Sequence, residues 1–216
     1  VRYLVIVLTL LSITACASGP RQDTHPRFVE ERPRSVLILP PANQSTAAEA
    51  PEHYRTTLAV PLARAGYYVF STEVTNLIMR EEGIVDGAQL QDIDPARFYQ
   101  LFGADTILQT TIHQWDTSYF VLGGGVTVSV SYDLISTHTG NTLWSHSDRR
   151  VADTTSRNQS NLLGALLETA LNTAQQDYMP LARELNQNAF SRLPYGVYHP
   201  RYQPLVEYVG EPPETR

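Results

Sequence analysis

Cys16 is the one cysteine in a chain of 216 residues. It can join no intrachain disulfide and no multi-cysteine metal site. Its thiolate is the strongest nucleophile on offer, and its place directly after Ile13-Thr14-Ala15 suits it to accept a transferred group. The other groups able to do chemistry are six histidines and two carboxylate clusters. His25, His53, His113, His138, His146 and His199 show no pair at zinc-helix spacing. No G-x-S-x-G elbow, H-E-x-x-H helix, P-loop or G-x-G-x-x-G occurs. Gly123-Gly124-Gly125 is not followed by a helix start, so it reads as a turn and not as a phosphate cradle. A two-residue turn at Thr139-Gly140 would set His146 opposite Asp133; such a pair is far more often an exposed cross-strand contact than a general base. Glu81-Glu82 ends a helix and reads as a solvated turn, and Asp94 before Pro95 as a helix cap. The expectation is therefore a protein that is not an enzyme, with no catalytic residues, cofactor or metal.

The segment before the cysteine explains it. Arg2 gives a short positive region, Tyr3 to Leu11 is apolar apart from Thr9, and Ser12 to Ala15 leads into Cys16. This is secretory signal anatomy. It falls short of the roughly 20 apolar residues a spanning helix needs. Ile13-Thr14-Ala15-Cys16 resembles the bacterial lipobox, with Ile13 where Leu is usual. That resemblance implies cleavage before Cys16 and acylation, of the palmitate kind, on its sulfur and its new amine. Several acyl chains anchor stably where one is marginal. By resemblance to enterobacterial sorting, Ala17 favours the outer membrane. Residues 16–34 then read as a lipidated, flexible tether, with Gly19, Pro20, Pro26 and Pro33 and little that is apolar. Its eighteen residues after the cysteine reach at most about 60 Å.

The elements that remain are those of a globular domain. Hydrophobic residues make up 42% and charged ones 18%, a composition that excludes disorder of the whole chain. The net charge is −6, and loss of residues 1–15 removes only Arg2, giving −7. Nucleic acid and polybasic attachment to anionic lipid are excluded on that balance. All sixteen basic residues are arginine. Ser35–Leu39 reads as a buried strand. Pro51 opens a helix to Ala65 that Pro61 should kink near Thr57. Tyr67–Phe70 is a second strand. Ser71 or Thr72 caps a helix to Glu82, and a short helix from Asp94-Pro95 ends at Gly103. Runs at Thr106–Phe120, Val126–Thr137 and Thr142–Val151 predict an antiparallel meander, with Val126, Val128, Val130, Tyr132 and Leu134 on one buried face. From Asn158 an apolar stripe through Leu162, Leu166, Leu181 and Leu185 predicts a long helix that Pro180 should kink or split. The fold class is α/β leaning to α+β, a single mixed sheet with helices on it. The domain is placed at 35–191, after a signal peptide at 1–15 and the tether, with an extended Pro/Tyr-rich tail at 192–216 whose tyrosines suit either a partner interface or a wrap around its own domain.

Five stretches together resemble a family of bacterial envelope lipoproteins of uncharacterised function, whose soluble domain is similar to the N-terminal domain of TolB and to the curli-secretion lipoprotein. They are Pro61–Ala63 with Gly66–Phe70, Phe102–Asp105, Thr137–Trp144, Asn161–Leu166 and Leu193–Pro200. The resemblance implies an outer-membrane lipoprotein facing the periplasm, a non-catalytic structural or adaptor subunit of an envelope transport or secretion assembly. It offers only Cys16 as a site residue. The expected partners are the membrane, through the lipid, and envelope proteins; a second copy of the chain is an alternative. A second reading is a lipoprotein that binds a small peptide, lipid or glycan in an apolar pocket, and a hydrolase ranks third.

Overall fold

The computed structural model describes residues 25–120, 123–153 and 178–202. Cys16, the segment before it, most of the stripe from Asn158 and the chain after Tyr202 lie outside the described residues. The helices are α1 (Pro26–Glu31), α2 (Ala50–Arg55), α3 (Ala59–Arg64), α4 (Thr72–Glu81), α5 (Ala96–Phe102) and α6 (Met179–Phe190), with a 3-10 turn at Gly87–Leu90. The strands are β1 (Ser35–Ile38), β2 (Ala42–Asn43), β3 (Tyr68–Val69), β4 (Thr106–Phe120), β5 (Gly123–Ser136) and β6 (Thr142–Asp153). They form one mixed sheet in the order β3-β1-β4-β5-β6, with β2 also beside β4. β1 runs parallel to β3 and β4, and β2 parallel to β4. β4, β5 and β6 are the antiparallel meander. This is the mixed α+β sheet the sequence predicts.

Every residue of β1 is buried because both faces of the sheet are covered there. Val36 and Ile38 join the larger core with Tyr54, Leu58 and Leu62 from the α2–α3 region and Leu185 and Phe190 of α6. Leu37 and Leu39 join a smaller core with Met79 of α4, Leu90 and Phe98 of α5. The break between α2 and α3 falls at Thr56–Leu58, where the Pro61 ring leaves the Thr57 carbonyl without its helical N–H. Ser71 Oγ accepts the Val74 N–H (3.4 Å), and Gly83 and Gly103 end α4 and α5 in the left-handed region (φ 79° and 68°).

Three local expectations give way, and a fourth reading, of the tail, is narrowed to one. Gly123–Gly125 belong to β5, with Gly123 paired to Phe120, so the strands connect through residues 121–122. His146 faces Tyr132, and Asp133 faces Ser145. The hairpin closes a four-residue turn with Gly140 N–H donating to Ser136 O (3.0 Å), and a register shift at Leu134/Ile135 then moves the pairing by one. The stretch read as flexible tether contains α1, whose Phe28 is buried edge-on to Tyr67. The stretch read as extended tail wraps its own domain as far as Tyr202. Tyr67 Oη donates to Pro194 O (2.5 Å), and the Gly196 and Tyr198 N–H groups donate to Ala65 O and Gly66 O. Gly66 (φ 93°) makes this approach feasible, since a Cβ there would lie 2.5 Å from the His199 backbone nitrogen. For α6 the apolar stripe packs on the chain's own sheet: Leu181, Leu185 and Phe190 are buried. Pro180 stands in its first turn, where a missing N–H costs nothing.

Candidate functional site

α4 carries more apolar residues than one buried face can use. Thr75 and Met79 turn inward, Met79 against the smaller core. Val74, Leu77 and Ile78, three and four residues apart, share another side of the helix. They are 55%, 59% and 37% exposed. Val85, in the loop beyond, and Leu101 and Tyr99 of α5 are exposed as well. Single exposed apolar residues are ordinary, whereas these lie together along one side of a helix. The sequence carried the signal: apolar side chains occupy too wide an arc of α4 for a helix lying on a core.

A second feature lies where β1 and β4 begin. A cleft of about 470 Å³ is lined by Glu31, Arg32, Pro33, Arg34, Asp105, His138, Val197 and Tyr202. Asp105 organises it. Its Oδ2 accepts the N–H groups of Arg34 (2.9 Å) and Ser35 (3.2 Å), and its Oδ1 lies 3.4 Å from His138 Nε2. Ser35 Oγ accepts the Asp105 N–H in return, and Thr137 Oγ1 donates to Ala104 O and Asp105 O. Asp105 therefore ties β1, β4 and the β5–β6 turn together, which gives Phe102–Asp105 and Thr137–Trp144 a shared physical purpose. Glu31 Oε1 accepts from Thr139 Oγ1 (2.7 Å). Arg32, the one non-glycine residue at positive φ among the described residues, lines the cleft, as does Arg34. The two arginines equip the cleft for an anionic group.

The structure also assembles a pair that no sequence pattern shows. His113 sits at the bulge in β4, with Nε2 2.9 Å from Ser131 Oγ and Nδ1 2.8 Å from Gln44 Oε1. The Ser–His spacing is that of a nucleophile and base. The third member is a neutral carboxamide, which cannot stabilise an imidazolium as a carboxylate does. The group is exposed on the sheet and reads as a polar cross-strand tie. His146 packs against both Tyr132 and Trp144, and Asp133 instead accepts from Ser145 Oγ (2.5 Å). His199 stacks on Tyr195. Asp94 Oδ1 accepts the Ala96 N–H (3.0 Å), the capping role expected of it. Among the described residues no cluster of His, Cys, Asp and Glu could hold a metal ion, and no helix is long and apolar enough to cross a membrane.

The sheet order, with parallel crossovers passing into an antiparallel meander, defines a small mixed α+β domain with helices on both faces. The chain belongs to the family described as "Putative lipoprotein GNA1162-like", whose model matches residues 24–197. It is 32% identical over 164 residues to "Putative lipoprotein NMB1124/NMB1162" of Neisseria meningitidis serogroup B, covering 76% of each chain. The crystal structure of lipoprotein GNA1162 from Neisseria meningitidis is similar to it with a TM-score of 0.56 and 32% identity, over 65% of this chain and 96% of that one.

Proposed function

We propose that this lipoprotein is anchored in the outer membrane by acyl chains on Cys16, faces the periplasm, and serves as a non-catalytic adaptor subunit of an envelope transport or secretion assembly. The exposed apolar stripe of α4 carries this reading: it offers a partner a preformed helix face on a rigid sheet. The anchor adds effective concentration, so modest contacts with another anchored protein suffice. Phe28 docks α1 on the core, and eight residues lie between Cys16 and His25. Fully extended they reach at most about 30 Å, half the span of the whole tether. The domain is thus held close to the bilayer surface.

A second reading, binding of a small anionic ligand, is favoured by the cleft with Arg32 and Arg34. Replacing Cys16 by Ala and fractionating cells tests the anchor. The variant is expected in the soluble fraction with an unchanged thermal midpoint; normal membrane retention would sink the anchored reading.

A further inference from the structure

The two edges of the sheet differ. β3 ends it with two residues and β6 with twelve. An exposed edge strand offers a row of unpaired N–H and C=O groups, and proteins blunt such edges with proline, with short strands or with charged side chains placed along them. β6 has neither proline nor glycine. Its one register shift lies at the hairpin end, opposite Leu134/Ile135. Among the described residues no backbone hydrogen bond reaches its outer side.

The polar side chains of β6 turn back onto the chain's own fold. Ser145 Oγ donates to Asp133 on β5, and Arg149 Nε reaches over β5 to Gln114 Oε1 on β4 (3.1 Å). Arg150 Nη2 lies 3.5 Å from Asp148 Oδ2, which also accepts from Asn188 Nδ2 of α6 (3.2 Å). His146 packs against Tyr132 and Trp144. The charges that could guard the edge are thus engaged elsewhere, and the outer side of the backbone is left clear.

The order of residues along β6 decides what fits there. A second copy added antiparallel, about a two-fold axis normal to the sheet, pairs residues that lie equally far on either side of the axis. With Ser147 on the axis, Asp148 stands opposite the partner's His146, Arg149 opposite the partner's Ser145, and the two Ser147 residues opposite each other. Acid meets imidazole twice, and no like charges are opposed. Moving the axis to His146 leaves Asp148 opposite the apolar Trp144; moving it to Asp148 or Arg149 sets two carboxylates or two guanidinium groups against each other. Like charges directly opposite are destabilising. We propose that β6 pairs with β6 of a second copy of this chain, antiparallel and centred on Ser147, so that the two sheets run on as one. The inference is independent of the adaptor reading, because α4 packs against Leu37 of β1, and β4 and β5 separate β1 from β6.

The test is thiol crosslinking in cells that express the full chain. Ser147 is exposed, and Ser147→Cys sets two thiols directly opposite each other, with Cβ atoms about 5 Å apart. Ser145→Cys sets them four residues apart along the strands, about 13 Å. o-Phenylene bismaleimide joins the first pair and is too short for the second, and the unsubstituted chain gives the background from Cys16. A species of two chains' mass is expected from Ser147→Cys, with none above background from Ser145→Cys. Cells that carry Ser145→Cys together with Arg149→Cys should regain it, since those positions face each other. Ser147→Asp opposes two carboxylates on the axis, and should lower the protein mass of the purified full chain in detergent, read by light scattering, from two chains to one at an unchanged melting temperature. Should that variant melt earlier, the crosslinking pattern alone decides. No crosslink from Ser147→Cys, an equal yield from Ser145→Cys, or a crosslinked species of another mass would overturn the proposal.

Discussion

The two faces of the sheet are built to different ends. On the first, α2, α3 and α6 close over a continuous core, and both ends of the described chain fold back onto it through Phe28 and Leu193. Its centre holds a polar cluster. Tyr54 and Tyr132 hydroxyls meet each other and Asn186 Oδ1 (2.7 and 2.6 Å), and Asn186 Nδ2 donates to Thr57 Oγ1 (2.6 Å). Burial pushes both phenols well above their ordinary range, so the three oxygens share their protons without charge. On the second face a smaller core lies under α4 and α5, and those helices keep Val74, Leu77 and Leu101 in solvent. The first face packs most of its apolar surface into the fold, and the second leaves a stripe of it in solvent.

Breaking the first face should have the largest effect. Asn186→Ala leaves two phenols and the Thr57 hydroxyl without their shared partner, and is expected to cost about 3 kcal/mol. Denaturant unfolding with an unchanged m-value measures it. Replacing Val74 and Leu77 together by Glu should alter stability by no more than about 0.5 kcal/mol, because neither supports the core, yet remove partner capture. A loss of folding in that double variant would show that the stripe is structural.

The smallest effect concerns pH. Burial and the nearby Arg192 hold the His146 imidazole below its ordinary range, against the opposing pull of Asp148. The unfolded chain titrates near about 6.5, so below that pH it binds more protons than the folded one. Stability is then full above that value and declines as pH falls toward the lower folded one. His146→Phe should flatten the decline, read from thermal midpoints across pH 5 to 8.

Much of this fold was legible because local rules and tertiary packing agree. The alternation in β5, the Pro61 break, the Ser71 cap and the stops at Gly83 and Gly103 each follow from one residue's own chemistry. What failed depended on distant partners. The register of His146 turned on a four-residue turn and a one-residue shift. Phe28 and the Pro194–His199 stretch are short and Pro-flanked, and only a docking site on Tyr67 and Gly66 makes them part of the domain. Of the candidate sites, Cys16 rests on the sequence and lies outside the described residues. The cleft around Asp105 was not legible there, because it gathers residues some thirty to seventy positions apart.

The most direct measurement places a photo-crosslinking residue at Leu77 in the full-length protein in cells, with a matching one at Arg183 on the other side of the sheet. A discrete crosslinked species from Leu77, absent from Arg183 and lost in the Cys16→Ala variant, is the expected result. No crosslink at Leu77, or the same species from both positions, would contradict an anchored adaptor that works through the face of α4.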